Sequence, residues 1–285
     1  MRFVHTHTSD SLILQGLLCE PVTQTKSAIL HIHGMAGNFW ENSFVKTMIE
    51  QYPRAGVSFL TVETRGSEVL RWFSCTDGSQ RLIGNSYERF EDCVLDIDAW
   101  VSFLVSLGYD TIYLQGHSLG CAKIAYYMKG KQPVAIKGLL LISPSDMLGL
   151  LEEPSYHVRY EALLGRAKSL INEGKPDELL ALHWDFAHLS ARTFVNFSSE
   201  NDNIAIFNYL NPRRGFATLN ALTVPVLAIM GTKDDGIVHN NVAAAVDLLR
   251  KNIRTRFVGA VFTDAAHDFN GFEDRIVSEV LDFIK

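Results

Sequence analysis

The sequence of 285 residues lacks the features of several classes of protein. It has no run of lysine or arginine longer than a pair, and its acidic and basic residues are mixed along a chain with a net charge of −6. Such a chain has no cluster of positive charge that would bind nucleic-acid phosphates or an anionic membrane surface. No apolar stretch is long enough to span a bilayer, and residues 1–10 alternate polar and apolar side chains instead of forming a signal peptide. We therefore expect no nucleic-acid partner, no membrane partner and no export from the cytoplasm.

Cysteine is scarce and scattered. Its four positions form no C-x-x-C pair and no cluster with histidine at zinc-ligand spacing. These positions are Cys19, Cys75, Cys93 and Cys121. We interpret them as reduced thiols of a cytoplasmic protein, and we expect neither a metal nor a cofactor.

Short apolar segments alternate with helical patterns along most of the chain. Strands are expected over residues 28–33, 57–63, 111–115, 136–143, 224–230 and 255–262. Residues 2–8 and 12–19 flank a Ser-Asp-Ser turn, which predicts an antiparallel hairpin at one edge of the sheet. The longest helical pattern covers residues 87–107. Buried strands separated by helices are typical of an α/β fold, with a mostly parallel sheet covered by helices on both faces, and the length suits one domain over residues 1–285.

The stretch Gly116-His117-Ser118-Leu119-Gly120 carries the strongest chemical signal. It follows a predicted strand and opens a helical pattern, so Ser118 is expected at a sharp turn with its hydroxyl projecting above the edge of the sheet. Glycines on both sides remove side chains that would clash there. Ser118 is thus a candidate nucleophile, whereas His117 is expected to shape the turn.

A serine nucleophile needs an imidazole to take its proton and a carboxylate to orient that imidazole. Asp234 and Asp235 follow the predicted strand 224–230, and His267 follows the strand 255–262. Upstream, the stretch His33-Gly34-Met35-Ala36-Gly37-Asn38 follows the strand 28–33. Its glycines allow a backbone N–H to face the oxyanion of an acyl-transfer reaction, and we expect that donor to be Met35.

These stretches together resemble the α/β-hydrolase superfamily over nearly the whole chain. The order Ser, Asp, His is that of the superfamily, and the resemblance implies a triad of Ser118, Asp234 and His267 with an oxyanion hole formed by the N–H groups of Met35 and Leu119. The stretches 37–42 and 63–66 are similar to a group of single-domain esterase-like hydrolases, some related to siderophore or feruloyl esterases. The resemblance also implies a helical lid over residues 144–221, where strands fail and amphipathic helices are expected at 156–172, 176–187 and near 203–210.

Two departures from the superfamily pattern bear on the site. Many members have Gly-x-x-Asp-x-x-Val in the acid loop, whereas here Asp234 has the expected distance from Gly231 and Asp235 the expected distance to Val238. We favour Asp234, because the end of the strand determines the first spacing, and Asp235 remains the alternative. The second departure is Arg65-Gly66-Ser67-Glu68, where relatives often have His-Gly after Arg-Gly, so this loop is expected to be reshaped.

The function expected from these residues is hydrolysis of a carboxylic ester of a small molecule through an acyl-enzyme on Ser118. The same fold and triad support thioesterase, lactonase, amidase, acyltransferase and carbon–carbon bond chemistry, and a catalytically silent ligand-binding module is the alternative from another class. Within the predicted lid, His183, Trp184, Phe186 and His188 either line the substrate pocket or pack against the core. Natural substrate and oligomeric state do not follow from the sequence.

Overall fold

The computed structural model describes residues 1–180, 188–237 and 241–285, with the backbone alone for residues 154–156. Eight strands form the main sheet, and β5 and β6 form a separate two-stranded sheet. The strands are β1 (Arg2–His7), β2 (Ile13–Cys19), β3 (Ser27–Ile32), β4 (Ser58–Val62), β5 (Trp72–Ser74), β6 (Gln80–Leu82), β7 (Thr111–His117), β8 (Ile136–Ile142), β9 (Val226–Gly231) and β10 (Phe257–Phe262).

The main sheet is mostly parallel, as the sequence predicts. Its strand order is β1-β2-β4-β3-β7-β8-β9-β10. All neighbours from β4 to β10 are parallel, whereas β2 is antiparallel to both β1 and β4. The carboxyl ends of β3, β7, β8 and β9 therefore lie at one edge of the sheet, where ligands bind in open α/β sheets.

Helices cover both faces of the sheet and form two hydrophobic cores. The helices are α1 (Ser43–Arg54), α2 (Cys93–Ser106), α3 (Leu119–Gly130), α4 (Met147–Glu152), α5 (Pro154–Asn172), α6 (Ala191–Asn196), α7 (Ala217–Asn220), α8 (Val242–Asn252) and α9 (Glu273–Ile284). Successive strand residues point to opposite faces, so Leu30 of β3 joins the core under α2, α3 and α8, and Ile29 joins the core under α1 and α9. The prediction of helices on both faces is confirmed. Within the described residues, no helix combines the length and the apolar character that crossing a membrane requires.

The predicted helix over residues 87–107 is wrong in its first turns. A single 3-10 turn covers Phe90–Asp92, and α2 begins at Cys93. The preceding residues make tertiary contacts instead: the buried Glu88 carboxylate pairs with Lys123 Nζ at 2.8 Å, and the Phe90 N–H donates to the Asn196 side chain at 2.7 Å. These contacts outweigh the local helical preference.

Residues 144–221 lie between β8 and β9 and contain α4, α5, α6 and α7. The predicted helix 156–172 corresponds to α5. The predicted helix 176–187 is wrong over residues 176–180, where Leu179 pairs with Ser190 in an isolated β-bridge, and residues 181–187 lie outside the described residues. Near 203–210 the structure has one 3-10 turn, Asp202–Ile204.

Candidate active site

Ser118 occupies the sharp turn between β7 and α3. Its backbone has φ 53° and ψ −122°, a conformation that serine rarely adopts, and its side chain is partly exposed. Close contacts require the flanking glycines, because a Cβ atom at Gly116 would lie 2.5 Å from the Gly120 carbonyl carbon. One at Gly120 would lie 2.3 Å from the Ile32 carbonyl oxygen. This is the strand-turn-helix context that the sequence predicts for an exposed nucleophile.

Asp234 and His267 form a buried carboxylate–imidazole pair at the same edge of the sheet. The Asp234 side chain is fully buried, and its Oδ1 lies 2.7 Å from His267 Nδ1. The Gly236 N–H donates to the same oxygen at 2.9 Å. Asp235 is exposed. Of the two acids that the sequence left open, Asp234 is therefore the one that contacts the imidazole.

The two groups shift each other's pKa in the directions that a triad needs. Burial raises the pKa of Asp234, but hydrogen bonds from His267 and Ser143 outweigh burial and hold that pKa below its ordinary value. Burial also disfavours the charged form of His267. The hydrogen bond and charge of Asp234 outweigh this effect, so the pKa of His267 lies above its ordinary value. The pair thus keeps an ionised carboxylate beside an imidazole of increased basicity.

The turn after β3 lies against the nucleophile. A Cβ atom at Gly34 would lie 3.1 Å from Ser118 Cβ. The backbone N–H groups of Met35 and Leu119 have no hydrogen-bond acceptor among the described residues. Met35 follows Gly34 and Leu119 follows Ser118, and free backbone N–H groups are the donors that the predicted oxyanion hole requires.

The His33 side chain holds this turn in place. Burial, reinforced by the charge of Lys123, lowers the pKa of His33 to about 3, so its imidazole is neutral. Its Nδ1–H donates to the Gly34 carbonyl oxygen at 2.7 Å, and its Nε2 accepts from the Ser67 hydroxyl at 2.8 Å. Ser67 belongs to the loop that departs from the superfamily pattern, and its hydroxyl anchors His33. The Gly34–Met35 peptide is planar, so the hydrogen bond that fixes its carbonyl oxygen also fixes the direction of the Met35 N–H.

The Ser118 hydroxyl is not hydrogen-bonded to His267. Its one side-chain hydrogen-bond partner within the described part of the chain is the Ser145 hydroxyl, at 3.4 Å between the two oxygens. The His117 side chain hydrogen bonds to the backbone of the histidine loop. Burial lowers the pKa of His117 to about 4, and the neutral ring donates from Nε2 to the His267 carbonyl oxygen at 3.0 Å. His117 therefore acts on the backbone of the histidine loop, and a role in shaping the turn around Ser118 stays a prediction.

Three residues of the site were missed by the sequence analysis. Ser143 and Ser145 follow the end of β8, which lies between β7 and β9, and Gly236 packs between Ser145 and His267. The sequence does carry a signal for Ser143 and Ser145. Polar residues that directly follow a buried parallel strand lie close to the ends of the neighbouring strands at one edge of the sheet.

Asp234, Asp235 and His267 are the one group of three or more metal-ligand side chains in the described ranges whose donor atoms all lie within 4.8 Å of one another. Asp234 and His267 already hydrogen bond to each other, so an ion would compete with that bond. We assign no ion here. That the activity needs no metal ion stays a prediction. It requires that activity be unchanged after dialysis against a chelator.

Of the predicted lid residues, His183, Trp184 and Phe186 lie outside the described residues, and His188 is exposed. Side chains of residues 144–221 line a partly open cavity of about 290 Å³, among them Leu148, Tyr160 and Arg214. Arg214 pairs with Glu152 at 3.0 Å at its wall. The cavity is thus part apolar and part charged.

No model of a protein family matches this sequence, and none of the curated proteins matches it. Solved structures are similar in fold. Est1E from Butyrivibrio proteoclasticus with bound ferulic acid superposes with a TM-score of 0.65 at 16% identity, covering 99% of this chain and 97% of its own. The siderophore hydrolase EstB from Aspergillus fumigatus gives a TM-score of 0.72 at 14% identity, covering 100% and 98%.

A thermostable carboxyl esterase from Bacillus coagulans, in complex with glycerol, gives a TM-score of 0.70 at 15% identity over 100% of this chain and 98% of its own. The similarity therefore extends over the whole length of the chain and of each of these proteins. The chain has the α/β-hydrolase fold.

Proposed function

We propose that the protein is a serine hydrolase that cleaves a carboxylic ester of a small molecule. The observation that carries the proposal is the 2.7 Å contact between Asp234 Oδ1 and His267 Nδ1, at the sheet edge where Ser118 sits in a strained turn. Structures of similar fold include a carboxyl esterase and a siderophore hydrolase. Fold alone does not determine the reaction, whereas the residues of the site do constrain it.

In this proposal the Ser118 hydroxyl attacks the acyl carbon of the ester, and His267 Nε2 accepts its proton. The hydroxyl must first leave Ser145 and approach the imidazole. Asp234 orients His267 and stabilises the imidazolium, and the N–H groups of Met35 and Leu119 donate to the oxyanion. The carbon–oxygen bond then breaks, and the alcohol leaves with the proton from His267. Water attacks the acyl-enzyme by the same path and releases the acid and free Ser118.

Residues 144–221 are proposed as a lid within a single domain. They directly follow β8, whose carboxyl end lies beside Ser118, and their cavity of about 290 Å³ is lined by apolar and charged side chains. A side chain of the lid is expected to act on substrate range and not on the reactivity of the nucleophile. Leu148→Ala, which enlarges this cavity, should retain hydrolysis of p-nitrophenyl acetate and alter the preference for acyl length, and an unaltered preference would contradict the proposal.

The test of the function is hydrolysis of p-nitrophenyl acetate by the parent protein, by Ser118→Ala and by Ser106→Ala as an exposed-serine control. Loss of a triad nucleophile lowers turnover by roughly 10⁶-fold, so Ser118→Ala should lose measurable turnover. Its thermal unfolding should match that of the parent, because the hydroxyl contributes little packing. Activity near that of the parent in Ser118→Ala would refute the assignment. A panel of thioester, lactone and amide substrates then distinguishes the related reactions.

A further inference from the structure

Ser143 is a fully buried side chain that directly follows β8. Its hydroxyl lies between the two partners of the proposed triad: Oγ hydrogen bonds to Asp234 Oδ2 and lies 2.8 Å from His267 Nδ1. Because β8 lies between β7 and β9, this position is at the same sheet edge as Ser118 and Asp234. Ser143 thus contacts both members of the carboxylate–imidazole pair.

The hydrogen bonds of Asp234 show what this hydroxyl contributes. Oδ1 accepts from His267 Nδ1 and from the Gly236 N–H. Oδ2 has one partner within the described part of the chain, the Ser143 hydroxyl. A carboxylate accepts only, so Ser143 donates its proton to Oδ2, and a lone pair of its oxygen faces the Nδ1–H of His267. Without this hydroxyl, an ionised oxygen would be buried without a donor.

The backbone of Ser143 gives an independent indication. Its φ is 53°, in the left-handed region that favours glycine. Its N–H donates to the Ile229 carbonyl oxygen at 2.9 Å, so the parallel neighbour β9 holds the residue in this conformation. A serine at a position where glycine would be free of strain indicates that the side chain is needed.

We propose that Ser143 is a positioning residue of the triad, which keeps Asp234 ionised with Oδ1 directed at His267 Nδ1. It does not contact substrate, because it is fully buried. The proposal rests on the proposed function for its catalytic consequence, whereas the contact itself can be tested without catalysis.

Removal of the Ser143 hydroxyl should shift the pKa of His267 in one direction. The imidazole faces Asp234, Asp235 and Asp268 as carboxylates, and the neutral His117 ring lies 4.9 Å away between centroids. Removing the Ser143 hydroxyl takes the donor from Asp234 Oδ2, and it also removes the neutral oxygen that faces the Nδ1–H, which is a weaker acceptor than the carboxylate that remains. A carboxylate that loses a donor binds a neighbouring proton more tightly, so the pKa of His267 should rise.

The experiment compares Ser143→Gly and Ser143→Ala with the parent. Both variants remove the hydroxyl; glycine suits the positive φ, and alanine retains the side-chain carbon. The matched control is Gln132→Gly, an exposed residue with φ 44° remote from the triad. Kinetics on p-nitrophenyl acetate give kcat and KM separately. NMR titration of the His267 Cε1–H, identified by its absence in His267→Gln, gives the pKa without any substrate.

We expect kcat to fall about 10- to 100-fold in both Ser143 variants with KM nearly unchanged. The pKa of His267 should rise in both, and Gln132→Gly should match the parent in every measurement. Parent-like kcat and an unmoved titration would overturn the proposal. So would an equal loss through KM with an unmoved titration, or failure of both variants to fold, since each indicates a merely structural role. A raised pKa in a protein without hydrolytic activity would uphold the positioning contact and refute the proposed function instead.

Discussion

At the scale of single residues, the site depends on which of two adjacent carboxylates orients His267. Asp234 is buried and lies 2.7 Å from Nδ1, whereas Asp235 is exposed. We predict that Asp234→Asn lowers turnover by about 10⁴-fold, as the equivalent change does in a serine protease, because the amide N–H₂ favours the wrong imidazole tautomer. Asp235→Asn is the matched comparison and should change turnover only slightly. Steady-state kinetics of the two variants decide, and the reverse ranking would transfer the role to Asp235.

The pH dependence of activity follows from His267. Burial alone would lower the pKa of this imidazole, but Asp234 raises it above the ordinary value of about 6.5. Only the neutral form accepts the Ser118 proton, so kcat/KM should fall as pH drops through the raised pKa. The acid limb should therefore lie above that of an ordinary imidazole, and Asp234→Asn should move it to lower pH because the carboxylate charge is lost. A profile that is flat from pH 5 to about 8 would show that His267 is not the base.

At the scale of structural elements, the acid loop and the histidine loop have to pack without a side chain between them. A Cβ atom at Gly236 would lie 2.5 Å from Ser145 Oγ and 2.9 Å from the His267 ring. We predict that Gly236→Ala displaces the imidazole and lowers kcat by roughly 100-fold, the scale of effect that a misplacement of about 1 Å produces.

Gly165 in α5 provides the matched control for this change. It is exposed, and a Cβ atom there would meet nothing within 4 Å. Gly165→Ala should therefore leave kcat unchanged and stabilise the protein by about 0.5–1 kcal/mol, because alanine favours a helix interior. Thermal unfolding and kinetics of both variants test the pair of predictions. Parent-like kcat in Gly236→Ala would show that the loops tolerate a side chain between them.

The elements of the fold differ in how well the sequence predicts them. Strands β3, β7 and β8 are mostly apolar and buried, and their parallel pairing follows from the alternation with helices. The hairpin of β5 and β6 was not predicted, because its strands are short and largely exposed and carry no alternating apolar pattern. The start of α2 was misplaced because the buried pair of Glu88 and Lys123 joins residues that are 35 apart in sequence.

At the scale of the whole molecule, motif residues are predictable where local geometry requires them. Gly116 and Gly120 are such cases, since each would place a Cβ atom against backbone less than 3 Å away. Ser143 is the opposite case. Its contacts with Asp234 and His267 join three chain segments that only the order of β8, β9 and β10 brings together, and no spacing around Ser143 indicates them.

The central claim is that the assembled molecule activates one serine, Ser118, as a nucleophile. The most direct measurement is labelling of the folded protein with a fluorophosphonate, followed by intact mass and peptide mapping. We predict one adduct per chain, located on Ser118, with no adduct in Ser118→Ala and much slower labelling in His267→Gln, because an unassisted serine hydroxyl is a weak nucleophile. Absence of an adduct on Ser118 in the parent protein would contradict the account and favour a catalytically silent ligand-binding module.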